Sequence, residues 1–218
     1  ETAVRFSDTG TFEASSLAIN EAGIISNRGH TPGGPRPPDT STAPRKRQVS
    51  DFILLNELGR GAGGTVYMAV HAPTLRVVAI KKVKVVKDEK KRQIYREVQA
   101  LYSNLVPLEK AHMMQAPCPY LLTFHGAFTH AESTSISIVL EYMDGGELQS
   151  IVNRNERCSE PLLAQISFRI LSGLKFLHNR RQIHRDVKPH NVLMKKDGEI
   201  KVSDLGILKE LDKKFVVC

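Results

Sequence analysis

The chain has no tryptophan, and aromatic residues make up only 6% of it. Nucleic-acid surfaces interleave basic residues with aromatic platforms. Here 31 Lys and Arg face 23 Asp and Glu without that interleaving, so the net charge of +8 does not point to a nucleic-acid partner. Cysteine is scarce: Cys118, Cys158 and Cys218 are odd in number, far apart and without a C-x-x-C pair. That pattern excludes a disulfide framework and a cysteine zinc site, and it fits a reducing, cytoplasmic setting. No apolar run approaches the roughly 20 residues that span a bilayer. The first residues lack the apolar core of a signal peptide, so no membrane partner is expected. The chain starts at Glu1 rather than Met, which reads as processing, trimming or a fragment.

A hydrophobic share of 41% with 25% charged residues belongs to a globular protein of one large domain or two small lobes. Residues 1–47 differ. Pro, Gly, Ser and Thr crowd 31–44, as in Gly33-Gly34-Pro35-Arg36-Pro37-Pro38, and such a stretch cannot bury enough apolar surface to offset its ordering entropy. A weakly structured extension is expected there, interrupted by an apolar island of Phe12, Leu17, Ile19, Ile24 and Ile25. Arg45-Lys46-Arg47 reads as a solvated basic boundary.

The most informative stretch is Ile183-His184-Arg185-Asp186-Val187-Lys188-Pro189-His190-Asn191. It follows a long amphipathic segment, in which Leu163, Ile166, Ile170, Leu174 and Leu177 predict a buried helical stripe. It precedes a short apolar run, so it reads as a loop between helix and strand. Asp186, Lys188 and Asn191 together suit phosphoryl transfer: a carboxylate orients the attacking hydroxyl, a cation steadies the phosphoryl group, and an amide oxygen holds a metal.

Upstream, Gly59-Arg60-Gly61-Ala62-Gly63-Gly64-Thr65-Val66 fits G-x-G-x-x-G-x-V. Glycines there let the backbone approach phosphates. A dinucleotide site would place a helix next, but Thr65 to Val70 is rich in strand formers and Pro73 follows, which favours a hairpin lid over ATP. In Val77-Val78-Ala79-Ile80-Lys81-Lys82, alternation puts Ala79 and Lys81 on one face and Lys82 on the other. Lys87 to Tyr102 reads as a helix with Ile94, Val98, Leu101 and Leu105 at helical spacing. Glu97 lies in or beside that stripe with no basic residue three or four positions away. An inward carboxylate needs a cation from elsewhere, and Lys81 is the candidate.

Residues 105–118, including His112, Met113 and Met114, read as a surface insertion without a metal cluster. Tyr120 to Phe128 and Ile136 to Tyr142 are expected strands. Asn191 to Met194 and Ile200 to Val202 flank a Lys-Asp-Gly turn, and the second run ends in Asp204.

These motifs, in this order, resemble those of the eukaryotic protein kinases over about residues 51–218, ending inside the activation segment. The resemblance implies an α+β, protein-kinase-like bilobal fold: an antiparallel β N-lobe with one regulatory helix, and a truncated, mainly helical C-lobe. The boundaries would be 1–47 for the extension, 48–143 for the N-lobe and hinge, and 144–218 for the partial C-lobe. It implies that Leu58, Gly59, Gly61, Gly64, Val66 and Ala79 cover ATP from one side. Leu140 would be the gatekeeper, Glu141 and Met143 would face the adenine through backbone groups, and Leu193 would belong to the nucleotide-binding set. Lys81, held by Glu97, would position phosphates, and Asn191 and Asp204 would hold Mg2+. Asp204 stands where the family has D-F-G, with Leu205 in place of Phe.

Lys188 implies a Ser/Thr-type loop. The run Met143-Asp144-Gly145-Gly146 and the stretch Val202 to Ile207 resemble the dual-specificity MAP kinase kinases. The island at 9–25 is similar to the segment preceding the kinase domain in plant members of that family. The implied activity is transfer of the γ-phosphoryl of Mg-ATP to Ser/Thr hydroxyls of a protein, with Tyr open. The implied partners are a MAP kinase substrate and an upstream activating kinase. Two alternatives remain: a truncated, non-catalytic nucleotide- or partner-binding module, and a small-molecule phosphotransferase, which Lys188 and the hinge disfavour.

Overall fold

A computed structural model describes residues 4–7, 10–14, 17–26, 49–61, 63–85, 87–130, 134–154, 157–204 and 209–210. The chain divides into two compact units, Glu1–Tyr95 with Gly126–Val139, and Arg96–His125 with Leu140–Cys218.

The first unit begins with a four-stranded antiparallel meander, β1 (Arg5–Phe6), β2 (Phe12–Ala14), β3 (Leu17–Asn20) and β4 (Gly23–Ser26). This corrects the expectation of a weakly structured extension for residues 5–26. Phe12, Ala14, Leu17 and Ile19 are spaced so that short strands bury them, and Phe12 and Ile19 are fully enclosed. Asn20 Oδ1 accepts the Ala22 amide (2.8 Å) and Gly23 takes φ +113° to make the last turn. The meander lies beside the strand carrying Ala127, because a Cβ on Gly23 would stand 3.8 Å from the Ala127 carbonyl oxygen. The Pro-rich run and Arg45-Lys46-Arg47 lie outside the described residues.

A second sheet follows: β5 (Phe52–Gly61), β6 (Gly64–His71), β7 (Arg76–Lys84), then, after helix α1 (Asp88–Leu101), β8 (Phe124–His130) and β9 (Ser135–Glu141). Its order is β5-β6-β7-β9-β8. Both faces of β7 are covered, Val78 and Ile80 being buried on one and Ala79 and Val83 on the other. Phe52 stacks on Phe128 with ring centres 5.5 Å apart and also packs on His71. The predicted helix at 87–102 is α1, and Ile94, Val98 and Leu101 form its buried stripe.

In the second unit the insertion after α1 is anchored rather than superficial. Val106, Leu108 and Cys118 are buried, whereas Met113 is exposed. The Asn104 side chain accepts the Cys118 amide (2.8 Å) and points its Nδ2 at the carbonyls of Cys118, Leu121 and Leu122 (3.1–3.3 Å). The strand expected from Tyr120 starts only at Phe124. Residues 120–122 pair instead with a later strand, through Val202 N–H to Tyr120 O and Leu122 N–H to Val202 O (both 2.9 Å). That pairing ties residues 120–122 to a later strand of the same unit.

The remaining elements are β10 (Gly146–Glu147), α2 (Gln149–Asn153), α3 (Glu160–His178), β11 (Gln182–Ile183), β12 (Val192–Met194), β13 (Ile200–Val202) and β14 (Lys209–Glu210). β10, β12 and β13 form one small sheet, and β11 pairs with β14. Ile166 of α3 packs with Val192 and Ile200, flanked by Ile170, Leu148 and Met194, and Leu177 is fully buried. Leu163 departs from its predicted place in the stripe. It is exposed, as are Phe168 and Leu171, so the described residues leave an apolar face of α3 uncovered. Among the described residues no helix is long and apolar enough to cross a membrane.

Candidate active site

The loop 184–191 is held by its own side chains. His184 is buried; its Nε2 donates to the Ser203 carbonyl (2.9 Å) and its Nδ1 receives the Asp186 amide (3.3 Å), which ties the loop to the end of β13. Asn191, at the end of a short helical turn, donates Nδ2 to the Asp186 backbone oxygen (2.8 Å) and to Asp186 Oδ2 (2.9 Å). Lys188 Nζ donates to the same Oδ2 at 2.8 Å. That bond, more than the opposing desolvation, holds the Asp186 carboxyl below the usual carboxylate range, with the Asn191 bond adding to it. The same contact raises the Lys188 amine, and the Asp204 charge acts in the same direction. Asp186 is therefore an anion at neutral pH, suited to accepting a hydroxyl proton's hydrogen bond.

Arg185 (φ 67°) and Asp204 (φ 56°) both adopt the left-handed region. Residues other than glycine rarely sit there, and such strain clusters at functional sites. Ser203 N–H donates to the Asn191 carbonyl (2.8 Å), so the backbone at Asn191 is bonded to the residue preceding Asp204. Because Asn191 spends its amide nitrogen on Asp186, its Oδ1 is the atom left for a metal. An amide oxygen and a carboxylate are the hard ligands magnesium prefers, with water and phosphate completing the shell. The residues present fit such an ion. Leu205 and Gly206 lie outside the described residues.

In the first unit, the β-sheet register lines up Gly59, Val66 and Lys81 across β5, β6 and β7, with Ala79 two residues along β7 on the face of Lys81. Lys82 is exposed on the other face, as alternation required. Gly64 sits at φ +124°, and any Cβ there would collide with the Lys82 carbonyl oxygen, so only glycine fits. Gly59 and Gly61 have open space where a Cβ would stand. Gly63, which the motif spacing left unassigned, covers the tip of Lys81: its Cβ would be 3.5 Å from Lys81 Cε and 3.7 Å from Nζ. Leu58 is exposed on β5 beside this row. Lys81 belongs to the first unit and Glu97 to the second, where Glu97 is 6% exposed within the apolar stripe of α1.

A family model described as a protein kinase domain matches residues 52–216. The chain belongs to the protein kinase family. Among curated relatives of this kinase, mitogen-activated protein kinase kinase 3 of Arabidopsis thaliana is 37% identical over 170 residues, covering 77% of this chain and 30% of that protein. Mitogen-activated protein kinase kinase 1c of Physcomitrium patens is 34% identical over 203 residues, 91% of this chain and 54% of that protein. Mitogen-activated protein kinase kinase 1 of Arabidopsis thaliana is 32% identical over 205 residues, 93% and 53%. The kinase chain thus spans between about a third and about a half of the length of these relatives.

The segment expected to be the hinge carries a feature that its motif did not indicate. Glu141 follows half-buried Leu140, and its carboxylate receives Lys195 (2.6 Å), Lys201 (2.6 Å) and the Thr123 hydroxyl (2.7 Å). Burial pushes this carboxyl up, but the three donors outweigh burial and bring it to about 2. A Glu and a Lys separated by 60 residues leave no local signal, so pattern reading could not pair them. The Met143-Asp144-Gly145-Gly146 run, in contrast, acquires a physical reason. Asp144 Oδ1 accepts the Lys196 amide (3.0 Å), and Gly145 approaches Met194 so closely that a Cβ would stand 2.8 Å from its carbonyl oxygen.

Proposed function

We propose that this kinase transfers the γ-phosphoryl of Mg-ATP to Ser or Thr hydroxyls of a MAP kinase, with Tyr as a further acceptor to be tested. The observation that carries the reading is the Asp186 carboxylate, kept ionised by Lys188 and held at two points by Asn191. Asp186 orients the acceptor hydroxyl and takes its proton as the oxygen attacks. Lys188 lies on the same carboxylate oxygen, where its charge steadies the phosphoryl group in flight. Asn191 Oδ1 and Asp204 would hold a magnesium ion, which would supply neutralisation of phosphate charge. Lys81, under the glycine turn, binds the α- and β-phosphates in this reading.

Adenine binding is supported by what the hinge backbone offers. The Glu141 amide is committed to the Thr123 carbonyl (3.0 Å), and in this reading its own carbonyl is the acceptor for a base. The Met143 carbonyl accepts the Gly146 amide (3.3 Å), which leaves the Met143 amide as a donor. An acceptor and a donor two residues apart match the 6-amino group and neighbouring ring nitrogen of adenine. Leu140, Leu193, Leu58, Gly59, Gly61, Gly64, Val66 and Ala79 complete the nucleotide set. The names of the relatives support a MAP kinase as the substrate, and an upstream activating kinase belongs to the same reading.

The uncovered apolar face of α3 favours a second reading, a non-catalytic module that binds nucleotide or a partner. One experiment separates them. The purified chain is incubated with Mg-ATP and a catalytically inactive MAP kinase, and new phosphosites are mapped by mass spectrometry. Phosphorylation that disappears in Asp186→Asn supports transfer. Nucleotide binding without phosphorylation supports the module.

A further inference from the structure

Four charged groups around the hinge have no part in the chemistry just described. Lys195 bridges Glu141 (2.6 Å) and Glu199 (2.8 Å), and Lys201 bonds Glu141 (2.6 Å) with Glu199 at 3.7 Å. Lys201 is 7% exposed at its side chain and Glu141 15%, an enclosed pair, while Lys195 (25%) and Glu199 (45%) extend the network of two positive and two negative groups towards solvent. Charges removed from water persist only when paired this completely.

Its placement is informative. Lys201 on β13 stands directly opposite Leu193 on β12. Directly opposed residues point to the same face of a β-ribbon, so Lys201 flanks a residue of the nucleotide-binding set. The other end of the ion pair, Glu141, is the residue whose carbonyl is offered to that base. One side-chain network therefore links the two backbone segments, 140–143 and β12–β13, that would meet the adenine. Thr123 completes it, giving its hydroxyl to the Glu141 carboxylate and its carbonyl to the Glu141 amide.

We propose that Lys201, with Glu141 and Lys195, are positioning residues that set base selectivity by locking the Glu141 carbonyl and Leu193 in register with each other. The proposal rests on the reading of 140–143 as an adenine-binding hinge. Hydrogen-bond selectivity depends on a fixed acceptor: a carbonyl held in place favours the 6-amino group of adenine and repels the 6-oxo group of hypoxanthine. A carbonyl free to tilt discriminates less.

The test compares dissociation constants of ATP and ITP for the wild-type chain and for Lys201→Met, Lys201→Arg, Lys195→Ala and Glu141→Gln. Folding is monitored by circular dichroism and thermal melting. In Lys201→Met the ATP/ITP preference should fall by about tenfold, the equivalent of one hydrogen bond, and chiefly through weaker ATP binding. Lys201→Arg should recover most of it, since a guanidinium can keep the Glu141 contact. A purely structural role would lower the melting temperature and both affinities while leaving their ratio intact, and a folded Lys201→Met with wild-type preference overturns the proposal. If Lys201→Met does not fold, Lys195→Ala and Glu141→Gln decide, and an unchanged ratio in both overturns it. A wild-type chain that binds neither nucleotide refutes the hinge reading itself, and this inference with it.

Discussion

Asn191 Nδ2 lies 2.9 Å from Asp186 Oδ2 and 2.8 Å from the Asp186 backbone oxygen, so one amide fixes both the position and the direction of the carboxylate. Asp186→Asn removes the negative acceptor while preserving shape. Phosphoryl transfer should drop by about 10²-fold or more, the usual contribution of a positioned acid–base group. Lys81→Met should remove transfer as well. Transfer to a MAP kinase is followed by incorporated phosphate, and full activity in either purified variant contradicts the assigned roles.

The glycine loop separates a folding requirement from a ligand requirement. Gly64→Ala places a Cβ against the Lys82 carbonyl at a φ of +124°. It should destabilise the protein by roughly 1–3 kcal/mol. Gly59→Ala meets no atom within 4 Å and should shift stability by less than about 0.5 kcal/mol. Its effect should appear in ATP affinity instead. Paired thermal melts and nucleotide titrations distinguish the two, and an equal loss of stability in both variants would contradict this division.

Glu141 makes its segment acid-sensitive. Its carboxyl is depressed from 4.5 to about 2 in the folded chain. A depressed folded value means that the stabilisation is complete above pH 4.5 and is lost as pH falls from there towards 2. At 1.36 kcal/mol per unit, the amount at stake is roughly 3 kcal/mol. Denaturant melts of wild type and Glu141→Gln should diverge by that order at neutral pH and converge near pH 2. A gap that stays constant from pH 7 to pH 2 would contradict the linkage.

Asn104 holds the insertion down. Asn104→Ala orphans the Cys118 amide and withdraws a donor from three carbonyls. Each buried polar group left unpaired costs about 1–3 kcal/mol. A loss on the order of 3 kcal/mol, or roughly 10 °C in Tm for a chain of this size, should accompany faster proteolysis within 105–118. Unchanged cleavage and an unchanged Tm would show that Val106 and Leu108 anchor the segment alone.

What was legible in the amino-acid order was whatever is local. The spacing of Asp186, Lys188 and Asn191 within six positions, the glycines of 59–64 and the alternation that separates Lys81 from Lys82 all follow from short-range geometry. So do the helix at 88–101 and the hairpin turned at Gly198. What only tertiary structure decided depends on partners far away in the chain. The meander at 5–26 was obscured by the Pro- and Gly-rich composition that follows it, because an average over 47 residues hides four strands. Leu163 belongs to a regular helical pattern yet is exposed, since periodicity marks the face that can be buried and not whether anything covers it. Tyr120 to Leu122 look like part of a longer strand, but their hydrogen bonds go to β13. The Glu141–Lys195–Lys201 network joins residues 54 to 60 positions apart, and charges become partners at that range only when the fold closes them out of water.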